Sequence, residues 1–332
     1  MPDTDAQSLR LPTSAASSSQ ENFSVLSPLV PRDLIPHFKA VYDFCRLIDD
    51  LADDPEIARP GDRGADESMA RPRDAAVANP RSMERLHLLG LARTELLAAA
   101  SGHSTNPVFV AVGKTIREKH LPLEPFDDLI KAFEQDQTMT RFETWEQVLD
   151  YCTRSANPVG RIVLMLDAPR PDAIDAETLR LSDLICTALQ LINFWQDVRR
   201  DLLERDRIYI PSREFPTGCD EPLDVTLRDW ISRPDDPEAR LPYIRSLRSL
   251  VDRTREMFDQ GAAIHARLNH RLGPVVWLFW KGGVETLKLV ERTGCTSLWE
   301  RPRLTGTEKA SFILQAIAMK WLGRWPRKPQ IV

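Results

Sequence analysis

Asp49 with Asp53 and Asp197 with Asp201 are pairs four residues apart that each fall within a helical apolar pattern. On a helix that spacing stacks both carboxylates on one face, close enough to share a hard cation through oxygen ligands. Beside the first pair, Tyr42 and Arg46 extend the polar stripe, with Arg46 one turn upstream, where a guanidinium can hold an anion brought by such cations. Beside the second, Gln190, Asn193, Asp197 and Asp201 fall at i, i+3, i+7 and i+11 in a segment otherwise rich in Leu, Ile, Phe and Trp. Polar groups buried there need partners. One reading is a solvated or ion-paired helix face, with Arg199 and Arg200 as neighbours. The other is a pair of helices caging two or three Mg²⁺ ions. Mg²⁺ usually completes its shell with substrate phosphate, so the second reading implies a diphosphate that the cations make a leaving group. Apolar helices beneath would suit the carbocation left behind.

The elements that must hold these residues are helical. Apolar residues recur at three- and four-residue spacing through 32–54, 82–100, 106–118, 125–136, 145–166, 176–204, 239–269, 274–292 and 307–322, and strand signals are scarce. The expected fold is therefore all-α, a single-domain helical bundle with a central cavity. Residues 1–20 read as a disordered leader, 21–305 as the helical domain, and 306–332 as a C-terminal helix and tail. The Pro-, Gly- and charge-rich stretch 55–82 reads as a long surface loop, and 211–222 as a second break.

Composition excludes several classes. A formal net charge of −5 with scattered basic residues leaves no broad positive surface for nucleic acid. The five cysteines are widely separated and the six histidines form no HxxxH pair, so neither a disulfide framework nor a zinc site is indicated. A carboxylate-bridged di-iron bundle would need a Glu-x-x-His motif on each of two helices, and the chain has one alone, Glu84 to His87. The longest apolar run, "VVWLFW" at 275–280, falls far short of the roughly 20 residues of a membrane-spanning helix. The terminal "MKWLGRWPRKPQIV" mixes Trp with Arg and Lys and reads either as a membrane-interface tether or as a solvated tail.

Several motifs, in order, resemble the squalene/phytoene synthase family. "AVYDFCRLIDDLAD" at 40–53 and "QLINFWQDVRRD" at 190–201 resemble its two aspartate-rich motifs, and "YCTRSANPVGR" at 151–161 its Tyr-Cys segment. Within the family, "ENFSV" at 21–25, "SANPVG" and "NFWQDV" resemble the bacterial hydroxysqualene synthases of the hopanoid pathway.

The resemblance implies an isoprenoid-synthase fold and a Mg²⁺-dependent lyase that converts presqualene diphosphate to hydroxysqualene and diphosphate. It implies Asp49, Asp53, Asn193, Asp197 and Asp201 as metal ligands, and Tyr42, Tyr151 and Asp136 as active-site residues. Arg46, Lys281 and Phe23 match substrate-contacting positions, and Gln190 on the same stripe is expected to join them. Farnesyl diphosphate is the substrate in the alternative, a synthase making presqualene diphosphate; an inactive relative serving as a partner is a third reading. Contact with other hopanoid-pathway enzymes and a cytoplasmic place at the inner membrane surface are further expectations. Two departures stand out: Arg200 occupies a commonly acidic place in "DVRRD", and the 55–82 loop is long. Phe194 and Trp195 read more readily as core than as cation-facing aromatics.

Overall fold

In the computed structural model, residues 11–12, 29–53, 80–215 and 221–322 are described. Most of the expected leader, Phe23, most of the 55–82 loop and the end of the tail lie outside them. The described chain is helical, with one isolated bridge between Arg141 and Ile208. Two units, Met1–Phe23 with Pro36–Thr138 and Ser24–Ile35 with Met139–Val332, divide the chain.

The first unit holds α1 (Ile35–Asp53) from its second residue on, α2 (Pro80–Ala100), α3 (Pro107–Lys119) and α4 (Glu124–Gln135). The apolar stripe of α1 sends Phe44 edge-on to Phe109 of α3 and Phe126 of α4, at centroid distances of 5.9 and 5.6 Å. Helix α3 starts where Asn106 accepts the Val108 N–H at 3.0 Å with Pro107 at the first position, a combination that satisfies one orphan donor and removes another. Arg93 of α2 grips Glu134 of α4 with both guanidinium arms, at 2.8 and 2.9 Å, and reaches Asp127 with Nε.

The second unit holds α5 (Trp145–Ser155), α6 (Asn157–Asp167), α7 (Ala176–Glu204), α8 (Leu223–Ile231), α9 (Pro237–Gly261), α10 (Gly273–Arg292) and α11 (Gly306–Leu322). The 29 residues of α7 make it the central element, with α5, α6, α9 and α10 packed on it. Asp175 caps its start by accepting the Thr178 N–H at 3.1 Å.

Two details differ from the sequence reading. Segment 145–166 is two helices, broken at Ala156, because Pro158 has no N–H for the carbonyl one turn back and its ring crowds that carbonyl. The nine-residue α8 was not anticipated, since only Leu227 and Trp230 are buried on it and so short a pattern carries no clear period. Among the described residues no helix is long and apolar enough to cross a membrane.

Candidate active site

The second aspartate motif lies along α7. Asp201 is buried, and desolvation pushes its carboxyl up to about 6, with Asp197 adding repulsion against the pull of Arg205 and Arg200. Asp197 is taken by a residue the sequence reading did not single out: Arg301 Nη2 donates to Oδ2 at 2.8 Å while Nε donates to Oδ1. Arg200, the departure from the family motif, turns to Glu204 at 3.1 Å and stays 3.9 Å from Asp197.

The same helix forms one wall of a pocket of about 220 Å³. Val159 and Val163 of α6, Ile185 and Leu189 of α7, and Val276 and Phe279 of α10 make it apolar. Gln190 and Asn193 also line it, so one face of α7 carries the acidic stripe out of a greasy pocket. Ser155 lines it too, and its buried Oγ has no hydrogen-bond partner among the described residues. The walls can approach because Gly160 has no side chain: a Cβ there would stand 2.5 Å from Ser182 Oγ. A larger cavity of about 770 Å³ lies among Phe142, Phe215 and Trp230. Its arginines, Arg141 and Arg233, are ion-paired with Asp206 and Asp236, and two of its lining residues, Phe215 and Glu221, bracket the undescribed 216–220.

The first motif lies on α1. Arg46 Nη1 donates to Asp49 at 2.5 Å and Nη2 to Asp50 at 3.2 Å, while its buried Nε has no partner among the described residues. Asp50 is the more buried of the two carboxylates and was absent from the sequence-derived set, because it lies off the polar stripe. Asp53 ends the helix, and its carbonyl accepts from Arg85 at 2.7 Å. Tyr42 is half-buried on α1, and Asp136 is buried just past the end of α4.

Tyr151 is buried in an aromatic cluster, 5.6 Å from both Phe142 and Tyr209, and is not among the pocket-lining residues. Phe194 stacks on Tyr209 in the same cluster at 3.8 Å. Trp195 is fully buried and donates to Thr254 at 2.9 Å. Both aromatics are core. Lys281 donates to Glu285 at 2.8 Å, with the Phe312 ring 5.8 Å from its Nζ. Burial alone would raise the Glu285 carboxyl, but Lys281 and then Lys288 outweigh it and hold it below its usual value.

Among the described residues no group of three or more His, Cys, Asp and Glu gathers as a metal cage. The donor chemistry nevertheless fits a hard divalent cation. Each motif presents carboxylates one turn apart, and a guanidinium already stands as a cation on Asp49 and on Asp197. Mg²⁺-like ions need few protein ligands when water and phosphate complete the shell.

The squalene/phytoene synthase family model matches residues 16–308. A hydroxysqualene synthase from Sinorhizobium fredii is 32% identical over 200 residues, covering 60% of this chain and 58% of that protein, so the match spans little more than half of the relative's length. A phytoene synthase from Mycobacterium tuberculosis is 26% identical over 313 residues, covering 94% and 91%. The crystal structure of squalene synthase HpnC from Alicyclobacillus acidocaldarius superposes with a TM-score of 0.61 at 35% identity, covering 83% of this chain and 90% of that one. With the helical architecture, both aspartate motifs and a family match across most of its length, this chain belongs to the squalene/phytoene synthase family.

Proposed function

We propose that the chain is a divalent-cation-dependent enzyme acting on a prenyl diphosphate, and that it converts presqualene diphosphate to hydroxysqualene with release of diphosphate. The observation that carries this is the double role of α7. Asn193 lines the apolar pocket and also begins the Asn193, Asp197, Asp201 stripe, which supports reading a surface for a hydrocarbon chain next to ligands for a cation. Oxygen atoms of Asn193, Asp197 and Asp201 would hold Mg²⁺ at the second motif, and those of Asp49 and Asp53 would do the same at the first. When bound, the ion supplies Lewis-acid charge for the departing diphosphate. The Arg46 Nε, which has no partner among the described residues, is a donor suited to a phosphate oxygen, and the aliphatic walls around Leu189 and Val276 shield the cation while it rearranges, before one water adds to form the hydroxyl and loses its proton. Tyr42, Tyr151, Asp136, Lys281 and Gln190 are proposed as further contacts, Gln190 with the direct support of lining the pocket.

The phytoene synthase match, which spans 94% of the chain, favours a second reading in which the enzyme condenses two prenyl diphosphates. Purified protein given Mg²⁺ with either presqualene diphosphate or farnesyl diphosphate, without NADPH, separates the two by mass spectrometry of the extract. Hydroxysqualene from presqualene diphosphate supports the first reading. Presqualene diphosphate made from farnesyl diphosphate supports the second, and no product from either substrate sinks both.

A further inference from the structure

We propose that Arg301 is the internal counter-ion of the second aspartate motif: its guanidinium occupies Asp197 until a divalent cation displaces it, and so sets how tightly this chain takes that cation. The inference rests on the reading of Asp197 as a cation ligand. Arg301 is not on a helix. It lies on the strap that joins α10 to α11, 104 residues from Asp197.

The strap is pinned on both sides of Arg301. Helix α10 ends as Gly294 and Cys295 take positive φ, 78° and 58°, and the Cys295 N–H returns to the Val290 carbonyl at 2.9 Å. Ser297 is buried and meets the Tyr243 hydroxyl at 2.9 Å. The indole of Trp299 donates to the Trp230 carbonyl at 2.9 Å, lies edge-on to Tyr243 and carries Arg240 over its ring at 5.1 Å. Helix α7 itself grips the strap on either side of Arg301: Arg199 donates to the Trp299 carbonyl at 3.4 Å and Gln196 to the Pro302 carbonyl at 2.8 Å.

The backbone that delivers the guanidinium is thus fixed to the helix that carries its target, and little backbone freedom remains to be lost when the fork closes. Both Asp197 oxygens are engaged, and its side chain is 15% exposed. A divalent cation must break that fork to ligate Asp197. The exchange adds positive charge, since a doubly charged ion replaces a singly charged guanidinium that stays tethered to the strap. Arg200 does not take this role, being turned to Glu204.

The test is a Mn²⁺ titration of the full chain without substrate, with free Mn²⁺ read by electron paramagnetic resonance. Arg301→Gln should tighten Mn²⁺ binding by roughly three- to ten-fold, the size of a partly exposed forked ion pair lost from the competition. Arg301→Lys, which keeps the charge but not the fork, should fall between and serves if the glutamine variant does not fold. In an Asp197→Asn background Arg301→Gln should change nothing. A purely structural Arg301 predicts the opposite sign, because a loosened strap would disorder the ligands. Unchanged or weaker Mn²⁺ binding in both Arg301 variants, with the parent chain binding normally, overturns the proposal alone. Absence of Mn²⁺ binding in the parent chain overturns it together with the cation-ligand reading.

Discussion

Gly160 and Cys186 meet so closely across the α6–α7 interface that a Cβ on Gly160 would stand 2.4 Å from the Cys186 Sγ. One residue on, Arg161 forks Asp183 at 3.0 and 2.6 Å, so the two helices are held in register by a close contact and an ion pair side by side. Gly160→Ala should force the half-buried Cys186 and the buried Ser182 side chains to give way, costing about 1–3 kcal/mol as overpacking does. Urea unfolding reads this directly. Because Gly160, Ser182 and Cys186 all line the pocket, turnover of a prenyl diphosphate should fall as well. A second substitution, Ser182→Ala, should recover part of the stability, and unaltered stability in the single variant would refute the contact.

Ser155 makes the opposite case. Its hydroxyl is buried at the edge of an apolar pocket without a partner among the described residues, and such a group typically carries a penalty of about 1–3 kcal/mol. Ser155→Ala should therefore stabilise the free protein, helped by alanine's better helix propensity at the end of α5. The melting temperature without ligand decides it. A fall would mean that the hydroxyl is already satisfied, whereas a rise accompanied by lost turnover would mean that it is kept for something that enters the pocket.

The faces of the long helices were legible in the sequence because each combines many turns with a strong apolar stripe, as Phe38, Val41, Phe44 and Ile48 do in α1. The two acidic stripes were legible for the same reason. Arg301 was not, since its partner is 104 residues away and its position is fixed by a strap whose anchors are backbone carbonyls of Trp299, Pro302 and Trp230. Carbonyl acceptors leave no mark on side-chain pattern. Asp50 was missed because periodicity assigns it to the side of the stripe, yet Arg46 reaches it from one turn back. The break at Ala156 was visible in principle from Asn157-Pro158, but the apolar period runs on through it and concealed the change of axis.

His265 should make stability depend on mild acid. It is almost completely buried with the Trp280 ring at 5.4 Å, and desolvation lowers its pKa from 6.5 to about 4. The unfolded chain therefore binds the extra proton first as pH falls. Stability from this group is complete above about 6.5 and is lost progressively down to 4, by about 3 kcal/mol at the lower end. Urea unfolding at pH 7, 6, 5 and 4 should show that slope over and above the carboxylate contributions. His265→Gln should remove it, and parallel profiles for the two proteins would show that the group does not titrate in this way.

Trp195 separates packing from chemistry in the second motif. It follows Asn193 by two residues, which turns it from the stripe into the core, where its indole N–H meets Thr254 at 2.9 Å and its ring stacks near Trp145 at 6.4 Å. Thr254 also donates to the Leu250 carbonyl at 2.8 Å, so the pair ties α7 to an interior turn of α9. Trp195→Phe should lose about 1–2 kcal/mol through the hydrogen bond and the smaller ring. It should leave the identity and ratio of the reaction products unchanged. Melting and product analysis on the same preparation are both needed, because an aromatic that faced a reacting cation would alter the ratio even where stability was preserved. A changed product ratio at full stability would move Trp195 from the core of α7 into the reaction chamber.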